Sequence, residues 1–301
     1  MSAFGYFGSK LRIAAKLCNE LPPHNAWVEL FCGSAAMTLA KKPAKIEIIN
    51  DINEEIVNFY KQLRENGPRL RKLIKLTPYA KAELELARAE NGEDIPELER
   101  ARRFFVSAMM ALNGSFGKNP GGFSVSHSYA RNGVEARVNR WNAMPEYLRG
   151  VTSRLANIRI ERTDALRLLD DYKDRPATLM YLDPPYLGER ILGYDHDENE
   201  KEFHEKLLKK VVKAKCMVFI SGYDNSLYRK YLNRKNGWNR KFIRALTKGH
   251  NGKAFERKEV IWFNAAYRKA KRLKRVPIRL SKEEKKNGKI NPSRGQLRTP
   301  D

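Results

Sequence analysis

The chain has 301 residues, and its 59 lysine and arginine residues outnumber its 35 aspartate and glutamate residues, which gives a formal net charge of +24. A hydrophobic fraction of 42% can fill a sizeable core, so a wholly disordered chain is excluded. No segment approaches the roughly 18–20 uninterrupted apolar residues of a membrane span, and the first residues lack the apolar core of a secretory signal. The charge favours a polyanionic partner, nucleic acid before an anionic membrane surface.

The three cysteines are Cys18, Cys32 and Cys216, which are odd in number, far apart and not at the spacing of metal ligands. This usage is typical of a reducing compartment, where cysteines stay free. We therefore expect a cytoplasmic protein with no metal site.

The first part of the chain, residues 24–60, alternates strand and helix patterns. An apolar strand is predicted over 25–31; it ends in a glycine turn, and a helix follows over 37–42. A second strand over 45–50 ends in an acid and leads into a helix over 53–64. This order of strand, glycine turn, helix, strand and acid is typical of the start of a doubly wound α/β domain.

The pattern changes between residues 61 and 150. Charged helical segments are predicted over 70–75, 80–89 and 97–112, and a loop rich in Gly, Asn and Ser follows over 113–128. Loops of this length are often functional.

The α/β pattern resumes from residue 151. Strands are predicted over 158–161, 177–182, 216–221, 239–245 and 258–264, with helices over 165–172 and 198–213. Residues 267–301 hold 13 Lys or Arg against three acids and show almost no apolar periodicity, which predicts a solvated basic tail beyond the fold. An unstructured end and a DNA-contacting extension are equally compatible with that tail.

The most informative motif, Asp183-Pro-Pro-Tyr186, directly follows an apolar strand. Ligands in open α/β sheets bind at the carboxyl ends of strands, and two consecutive prolines turn the chain sharply out of the sheet. Because Pro185 has no N–H, the Pro184 carbonyl can project into a cleft beside the Asp183 carboxylate. These two acceptors suit the two donors of an exocyclic NH₂ group, and Tyr186 can stack on the attached ring.

Four further motifs stand at fixed places relative to the predicted strands. They are Tyr6-Phe-Gly-Ser-Lys10, Glu29-Leu-Phe-Cys-Gly-Ser-Ala35, Asn50-Asp-Ile-Asn53 and the loop from Asn113 to Asn119. With Asp183-Pro-Pro-Tyr186, they resemble the motifs of Dam-type DNA adenine-N6 methyltransferases, and the resemblance extends from about residue 4 to 264.

The resemblance implies a fold and a domain organisation. The fold class is α/β, a Rossmann-like AdoMet-dependent methyltransferase fold with an inserted, mostly helical target-recognition domain. Residues 1–60 and 151–266 would form the discontinuous catalytic domain, residues 61–150 the DNA-binding insert and residues 267–301 the basic tail.

The resemblance also implies S-adenosyl-L-methionine as the methyl donor. The residues that it assigns to binding this cofactor are Tyr6, Lys10, Phe31, Gly33, Asp51, Asp164 and Asp183. Asp51 would accept hydrogen bonds from the ribose hydroxyls, and Asp164 from the amino group of the cofactor's adenine. Each of these two acids could instead cap the helix that follows it. Ser9 and Ala35 stand where the family has glycine.

By the same resemblance, the long loop contacts DNA. The amides of Asn113 and Asn119 suit adenine edges, and Lys118 and Arg131 suit phosphates. The alternative is a surface loop with ordinary turn residues.

The reaction that the resemblance implies is transfer of a methyl group to N6 of adenine in double-stranded DNA, after the base has flipped out of the duplex. Asp183 and the Pro184 carbonyl would accept the N6 hydrogens while Tyr186 and Tyr6 hold the ring, and the methyl group would pass by direct displacement. The segments 221–224 and 257–264 match family segments outside the active site.

Other activities and partners stay open at this point. The alternatives are cytosine-N4 methylation, for which Ser is more usual than Asp183, glutamine-N5 methylation, for which Asn is usual, RNA methylation, and a catalytically silent DNA-binding relative. The expected partners are double-stranded DNA and a cognate restriction endonuclease, with no membrane. We expect a monomer or weak dimer in the cytoplasm of a prokaryotic or phage-infected cell.

Overall fold

The computed structural model describes residues 2–5, 10–89, 95–112, 121–126, 128, 133–187, 201–248 and 254–277. Among these residues, seven strands form one sheet in the order β3-β2-β1-β4-β5-β7-β6. The strands are β1 Ala26–Glu29, β2 Ile46–Asn50, β3 Ile158–Glu161, β4 Thr178–Leu182, β5 Met217–Gly222, β6 Asn239–Lys248 and β7 Ala254–Phe263. Strands β1 to β5 are parallel, and β7 is antiparallel to both β5 and β6.

The direction in which the sheet grows reverses between β1 and β4. From β1 the chain builds outward through β2 to β3, and it then returns to add β4 and β5 on the other side. Such a switch point leaves a crevice at the carboxyl ends of the two central strands, where open α/β sheets bind their ligands. The predicted α/β class is therefore confirmed, and the fold places a binding crevice between β1 and β4.

Helices cover both faces of the sheet. They are α1 Leu11–Cys18, α2 Ala36–Ala40, α3 Glu54–Glu65, α4 Gly67–Leu76, α5 Lys81–Arg88, α6 Glu97–Met110, α7 Ala136–Asn142, α8 Met144–Leu155, α9 Ala165–Tyr172, α10 Lys201–Val211, α11 Ser226–Tyr231 and α12 Ala265–Leu273. Across the described part of the chain, none of them is both long and apolar enough to cross a membrane.

Alternate residues of the central strands face opposite layers, as the pleat of a strand requires. Met180 and Leu182 of β4 pack in one buried cluster with α9, α10 and α11. Leu179 and Tyr181 pack in another cluster with α1, α2 and α12. Because both faces are covered, β4 is buried along its whole length, which explains its continuous apolar sequence.

The helices of the region between residues 54 and 155 form a layer with an aromatic core. Phe59 and Phe105 stack with ring centroids 5.4 Å apart, and the same buried cluster contains Phe4 together with Ile49 and Ile158 from the sheet. Helix α3 crosses the predicted domain boundary at residue 60, and α8 crosses the one at residue 150. The helical region therefore shares its core with the sheet, and its treatment as a separate insert stays a prediction.

The basic tail begins later than residue 267, so this part of the prediction is wrong. Helix α12 is capped by Asn264, whose side chain accepts a hydrogen bond from the Tyr267 amide at 3.0 Å. Tyr267 and Ala270 are buried, and the Tyr267 hydroxyl donates to the Glu20 carbonyl at 3.0 Å. Two buried residues three positions apart lie on one face of the helix and are enough to pack it against the sheet, although its other positions are mostly basic. The tail from residue 278 onward lies outside the described residues.

Candidate active site

The Asp183-Pro-Pro-Tyr186 motif lies at the carboxyl end of β4, beside the switch point. The two prolines turn the chain so that the Tyr186 hydroxyl donates a hydrogen bond to Asp183 Oδ1 at 3.2 Å. Burial, and next the charge of Asp183, raise the pKa of the Tyr186 phenol well above its ordinary value. Tyr186 therefore stays a neutral donor, and the Asp183 side chain, 18% exposed, keeps contact with the crevice.

Lys10 reaches the same carboxylate from the start of α1. Its Nζ lies 3.0 Å from Asp183 Oδ1, donates to the Tyr186 hydroxyl and lies 4.8 Å from the centre of the Tyr186 ring. Only 4% of the side chain is exposed. Burial by itself would lower the pKa of the ammonium group, but the Asp183 and Glu259 carboxylates raise it above its ordinary value. Lys10 therefore carries its charge into the centre of the motif.

Two residues of the site come from segments that we expected to lie outside it. Glu259, on β7, places Oε2 3.7 Å from Lys10 Nζ. Tyr223 follows β5, and its ring meets the Tyr186 ring edge to face, with centroids 4.4 Å apart. The expectation for segments 221–224 and 257–264 is thus wrong, because β5 lies beside β4 and β7 lies beside β5. An acid within the otherwise apolar run after Lys258 is the one sequence signal that could have indicated Glu259.

The glycine turn after β1 is a left-handed turn closed by neighbouring side chains. Gly33 and Ala35 have φ of +44° and +50°. The Gly33 amide donates to Asp51 Oδ2 at 2.8 Å, and its carbonyl accepts from the Tyr60 hydroxyl at 2.8 Å. Glycine adopts positive φ with the least strain, which explains why alanine at position 35 is unusual.

Asp51 does not cap the helix that follows it, since Asn53 takes that role. The Asn53 side chain accepts from the amides of Glu55 and Ile56 at 2.9 and 3.2 Å. Asp51 instead accepts from the Asn53 amide at 3.0 Å and from Gly33. Two backbone donors thus orient the carboxylate at the carboxyl end of β2, where an acid can accept hydrogen bonds from the hydroxyls of a ribose.

A buried amide connects the strand ends around this carboxylate. Asn50 Nδ2 donates to the carbonyls of Leu30 and Thr163, both at 3.0 Å, and Oδ1 accepts from the Thr163 amide at 2.9 Å. These bonds join the carboxyl ends of β1, β2 and β3. The base of the crevice is therefore a rigid frame.

Asp164 has the helix-capping role that we set beside cofactor binding. Its exposed side chain accepts from the Arg167 amide at 3.0 Å at the start of α9. Phe31 lies half-buried after β1, with its ring edge to face on Phe203 at 6.2 Å. Cofactor contacts for both residues stay predictions.

A second acid lies at the end of β1, below the site. Glu29 is buried, and its Oε2 accepts from the Thr38 amide at 3.0 Å and from the Thr38 hydroxyl. Burial raises the pKa of Glu29 to about 8, and the charge of Asp183 adds to this shift. Glu29 is therefore largely protonated at neutral pH.

The remaining predicted site residues lie outside the described residues. They are Tyr6, Asn113, Lys118, Asn119 and Arg131. In the part of the chain that the structure describes, no group of three or more His, Cys, Asp or Glu side chains could hold a metal ion.

Comparison with known proteins shows which family the sequence matches. The family model for D12 class N6 adenine-specific DNA methyltransferases matches residues 6–261. The type II methyltransferase M1.LlaDCHI of Lactococcus lactis subsp. cremoris is 25% identical over 171 residues, which are 54% of this chain and 57% of that protein. The matched part thus spans less than two thirds of the relative's length.

Two solved structures are distantly similar. A SAM-dependent methyltransferase from Agrobacterium tumefaciens is 10% identical, with a TM-score of 0.39 over 87% of this chain and 63% of that one. A precorrin-6y C5,15-methyltransferase from Geobacter metallireducens GS-15 is 9% identical, with a TM-score of 0.38 over 87% of this chain and 97% of that one. Similarities of this size carry no functional information.

Proposed function

Because the chain belongs to the D12 class N6 adenine-specific DNA methyltransferase family, we propose that it transfers a methyl group from S-adenosyl-L-methionine to N6 of adenine in double-stranded DNA. One observation carries the proposal. Asp183, Tyr186 and Lys10 meet within 3.2 Å of one another at the topological switch point, where a flipped base could reach them.

Asp183 is the residue on which the chemistry depends most. Adenine N6 is a weak nucleophile because its lone pair is delocalised into the ring. An anionic acceptor on the N6 hydrogens localises that pair and stabilises the positive charge that develops on nitrogen. The Pro184 carbonyl, adjacent in the motif, would be the second acceptor.

Tyr186 contributes in two ways. Its hydroxyl fixes the Asp183 carboxylate, and its ring, packed on Tyr223, offers a face on which the flipped base can stack. Fixing an acceptor before the substrate arrives is the main way in which an enzyme of this kind gains rate, because little reorganisation is left for the reaction itself.

The residues at the first two strand ends fit S-adenosyl-L-methionine. Asp51 offers oriented acceptors for ribose hydroxyls, and the turn at Gly33 leaves room for close backbone approach. Held by these residues, this cofactor would supply an activated methyl group, which the N6 lone pair would accept by direct displacement. N6 then loses a proton to Asp183 or to solvent.

Recognition of the DNA and the biological setting are further parts of the proposal. We assign the loop residues Asn113, Lys118, Asn119 and Arg131 to DNA contact on the family resemblance alone. A cognate restriction endonuclease, a monomeric or weakly dimeric state and a cytoplasmic location in a prokaryotic or phage-infected cell also belong to the proposal.

The experiment that tests the activity uses the purified chain, S-adenosyl-L-methionine and unmethylated double-stranded DNA of mixed sequence. The DNA is digested, and its nucleosides are analysed by mass spectrometry. N6-methyldeoxyadenosine supports the proposal. N4-methyldeoxycytidine would show that the target base is cytosine and that the mechanism is otherwise the same. No methylated nucleoside, despite binding of the cofactor by calorimetry, would overturn DNA methylation.

A further inference from the structure

Glu259 is a charged residue of the site to which the proposed reaction assigns no role. It lies on β7, one residue before the pair that Val260 forms with Gly222 of β5. Its side chain is 13% exposed and reaches Lys10 Nζ at 3.7 Å. An acid within an apolar strand is costly to bury, so a carboxylate at this position calls for a compensating role in the site.

Lys10 would impede the reaction if Asp183 were its one partner. Its ammonium lies 3.0 Å from Asp183 Oδ1, the carboxylate that must accept hydrogen bonds from the target amino group. A cation on that oxygen weakens it as an acceptor. The same cation also repels the positive charge that develops on N6 during methyl transfer.

Glu259 relieves both effects. With two carboxylates beside one ammonium, the three side chains carry one net negative charge, and Glu259 can hold Lys10 while Asp183 accepts hydrogen bonds from the substrate. We propose that Glu259 is a positioning residue, which shares the Lys10 ammonium with Asp183 and so keeps the Asp183 carboxylate available to the target amino group. This inference rests on the proposed function.

The site has the mechanical properties that such sharing needs. Lys10 stands at the start of α1, Asp183 follows β4 and Glu259 is on β7, so each charge is held by a different element of the sheet or its covering layer. The two distances, 3.0 and 3.7 Å, allow the ammonium to pass from one carboxylate to the other by a small side-chain rotation. Tyr186, which also contacts Lys10, keeps the ammonium in the site throughout.

The test replaces Glu259 with glutamine, which has the same shape and no charge. Once the methylated adenine has been mapped in DNA treated with the wild-type protein, a short duplex containing that site is the substrate. We expect Glu259→Gln to slow single-turnover methylation by roughly tenfold or more, as expected for a charge near a developing cation. Glu259→Asp, which keeps the charge, should recover part of the rate.

A binding measurement without the cofactor separates positioning from a structural effect. Two duplexes are compared, one with adenine at the target and one with purine, which lacks the N6 amino group. Glu259→Gln should weaken binding of the adenine duplex several-fold. It should leave binding of the purine duplex unchanged, because purine has no amino group for Asp183 to bind. In a Lys10→Met background, Glu259→Gln should have no further effect on adenine binding.

Glu47→Gln is the matched control. It neutralises another buried acid, paired with Lys41 at 2.5 Å, away from the site, and reports what lost stability alone does to binding and rate. Equal rates for the wild type and Glu259→Gln, or equal weakening of both duplexes, would overturn the inference while the proposed function stands. A wild-type protein that methylates no DNA would overturn both.

Discussion

Lys10, Asp183 and Glu259 form a buried ion cluster in the site. Replacing Lys10 with methionine measures how much this ion cluster contributes to the free energy of unfolding. At an effective dielectric constant of about 20, the Coulomb attraction is about 5.5 kcal/mol for the 3.0 Å contact with Asp183 and about 4.5 kcal/mol for the 3.7 Å contact with Glu259. Desolvation of the nearly buried ammonium offsets much of this attraction, since only 4% of the side chain is exposed.

The variant leaves the Asp183 and Glu259 carboxylates without the cation that lies beside both of them. Breaking a buried ion pair by removing one partner costs about 3–5 kcal/mol, and the partial exposure of both acids brings our expectation to about 2–3 kcal/mol. For a chain of this size, that loss lowers the melting temperature by roughly 4–10 °C. Thermal unfolding followed by circular dichroism, with and without added S-adenosyl-L-methionine, measures it.

The pH dependence of this loss has a definite sign. The folded protein raises the pKa of Lys10 above its ordinary value of 10.5, so the stabilisation is fully present below that pH. It is lost as pH rises through the folded pKa. The difference between the wild type and Lys10→Met should therefore be constant between about pH 6 and pH 9 and shrink above about pH 10.5.

The control is Lys61→Met, which removes a lysine whose ion pair with Glu97 is exposed and should leave the melting temperature unchanged. An unchanged melting temperature for Lys10→Met as well would refute the assignment of Lys10 to a buried ion cluster. A loss that grows above pH 10.5 would refute the sign of its pKa shift.

Three further changes to the chain test Asp183, Glu29 and helix α12. Asp183→Asn should lower the single-turnover methylation rate by about 10²–10³ with little change in DNA affinity, because it removes the charge from the acceptor. The control is Asp174→Asn, which neutralises an acid in an exposed ion pair with Lys215, outside the site. The raised pKa of Glu29 makes the stability of the wild type fall as pH rises from about 4.5 to 8, and glutamine at this position removes that loss. The free energy of unfolding of Glu29→Gln, measured relative to the wild type, should therefore be higher at pH 8 than at pH 5 by about 1 kcal/mol or more. Truncation after residue 266 should destabilise the fold by removing Tyr267 and Ala270 from the core, whereas truncation after residue 277 should not.

Each of these outcomes can fail in a specific way. A methylation rate within tenfold of wild type for Asp183→Asn would show that the Asp183 carboxylate is not needed for methyl transfer. Equal pH profiles of thermal stability for Glu29→Gln and the wild type would show that the buried acid is not protonated at neutral pH. Equal melting temperatures for the two truncations would place the end of the folded chain before α12.

The sequence predicts the parts of the site that depend on local order along the chain. Strand β3 and helix α9 lie where the pattern puts them, and Asp51 and Asp183 each follow a buried strand at the carboxyl edge of the sheet. A parallel sheet brings such strand ends together, so their proximity follows from the strand pattern. Helix capping by Asp164 was equally foreseeable, since a short acid before a helix satisfies its free amides.

The parts that the sequence does not predict depend on which strands become neighbours. Lys10 meets Asp183 across 173 positions, and Glu259 meets Lys10 because an antiparallel strand is added beside β5. No periodicity encodes either contact. Helix α12 was missed for a different reason: its four basic residues conceal the two buried ones, Tyr267 and Ala270, which hold it on the sheet.

We propose that this site methylates adenine through the Asp183 carboxylate. Nucleoside mass spectrometry of duplex DNA, treated side by side with the wild type and Asp183→Asn in the presence of S-adenosyl-L-methionine, tests it most directly. We expect N6-methyldeoxyadenosine from the wild type and at least about 100-fold less from the variant in the same time. Comparable yields from both proteins, or a different methylated nucleoside, would contradict it.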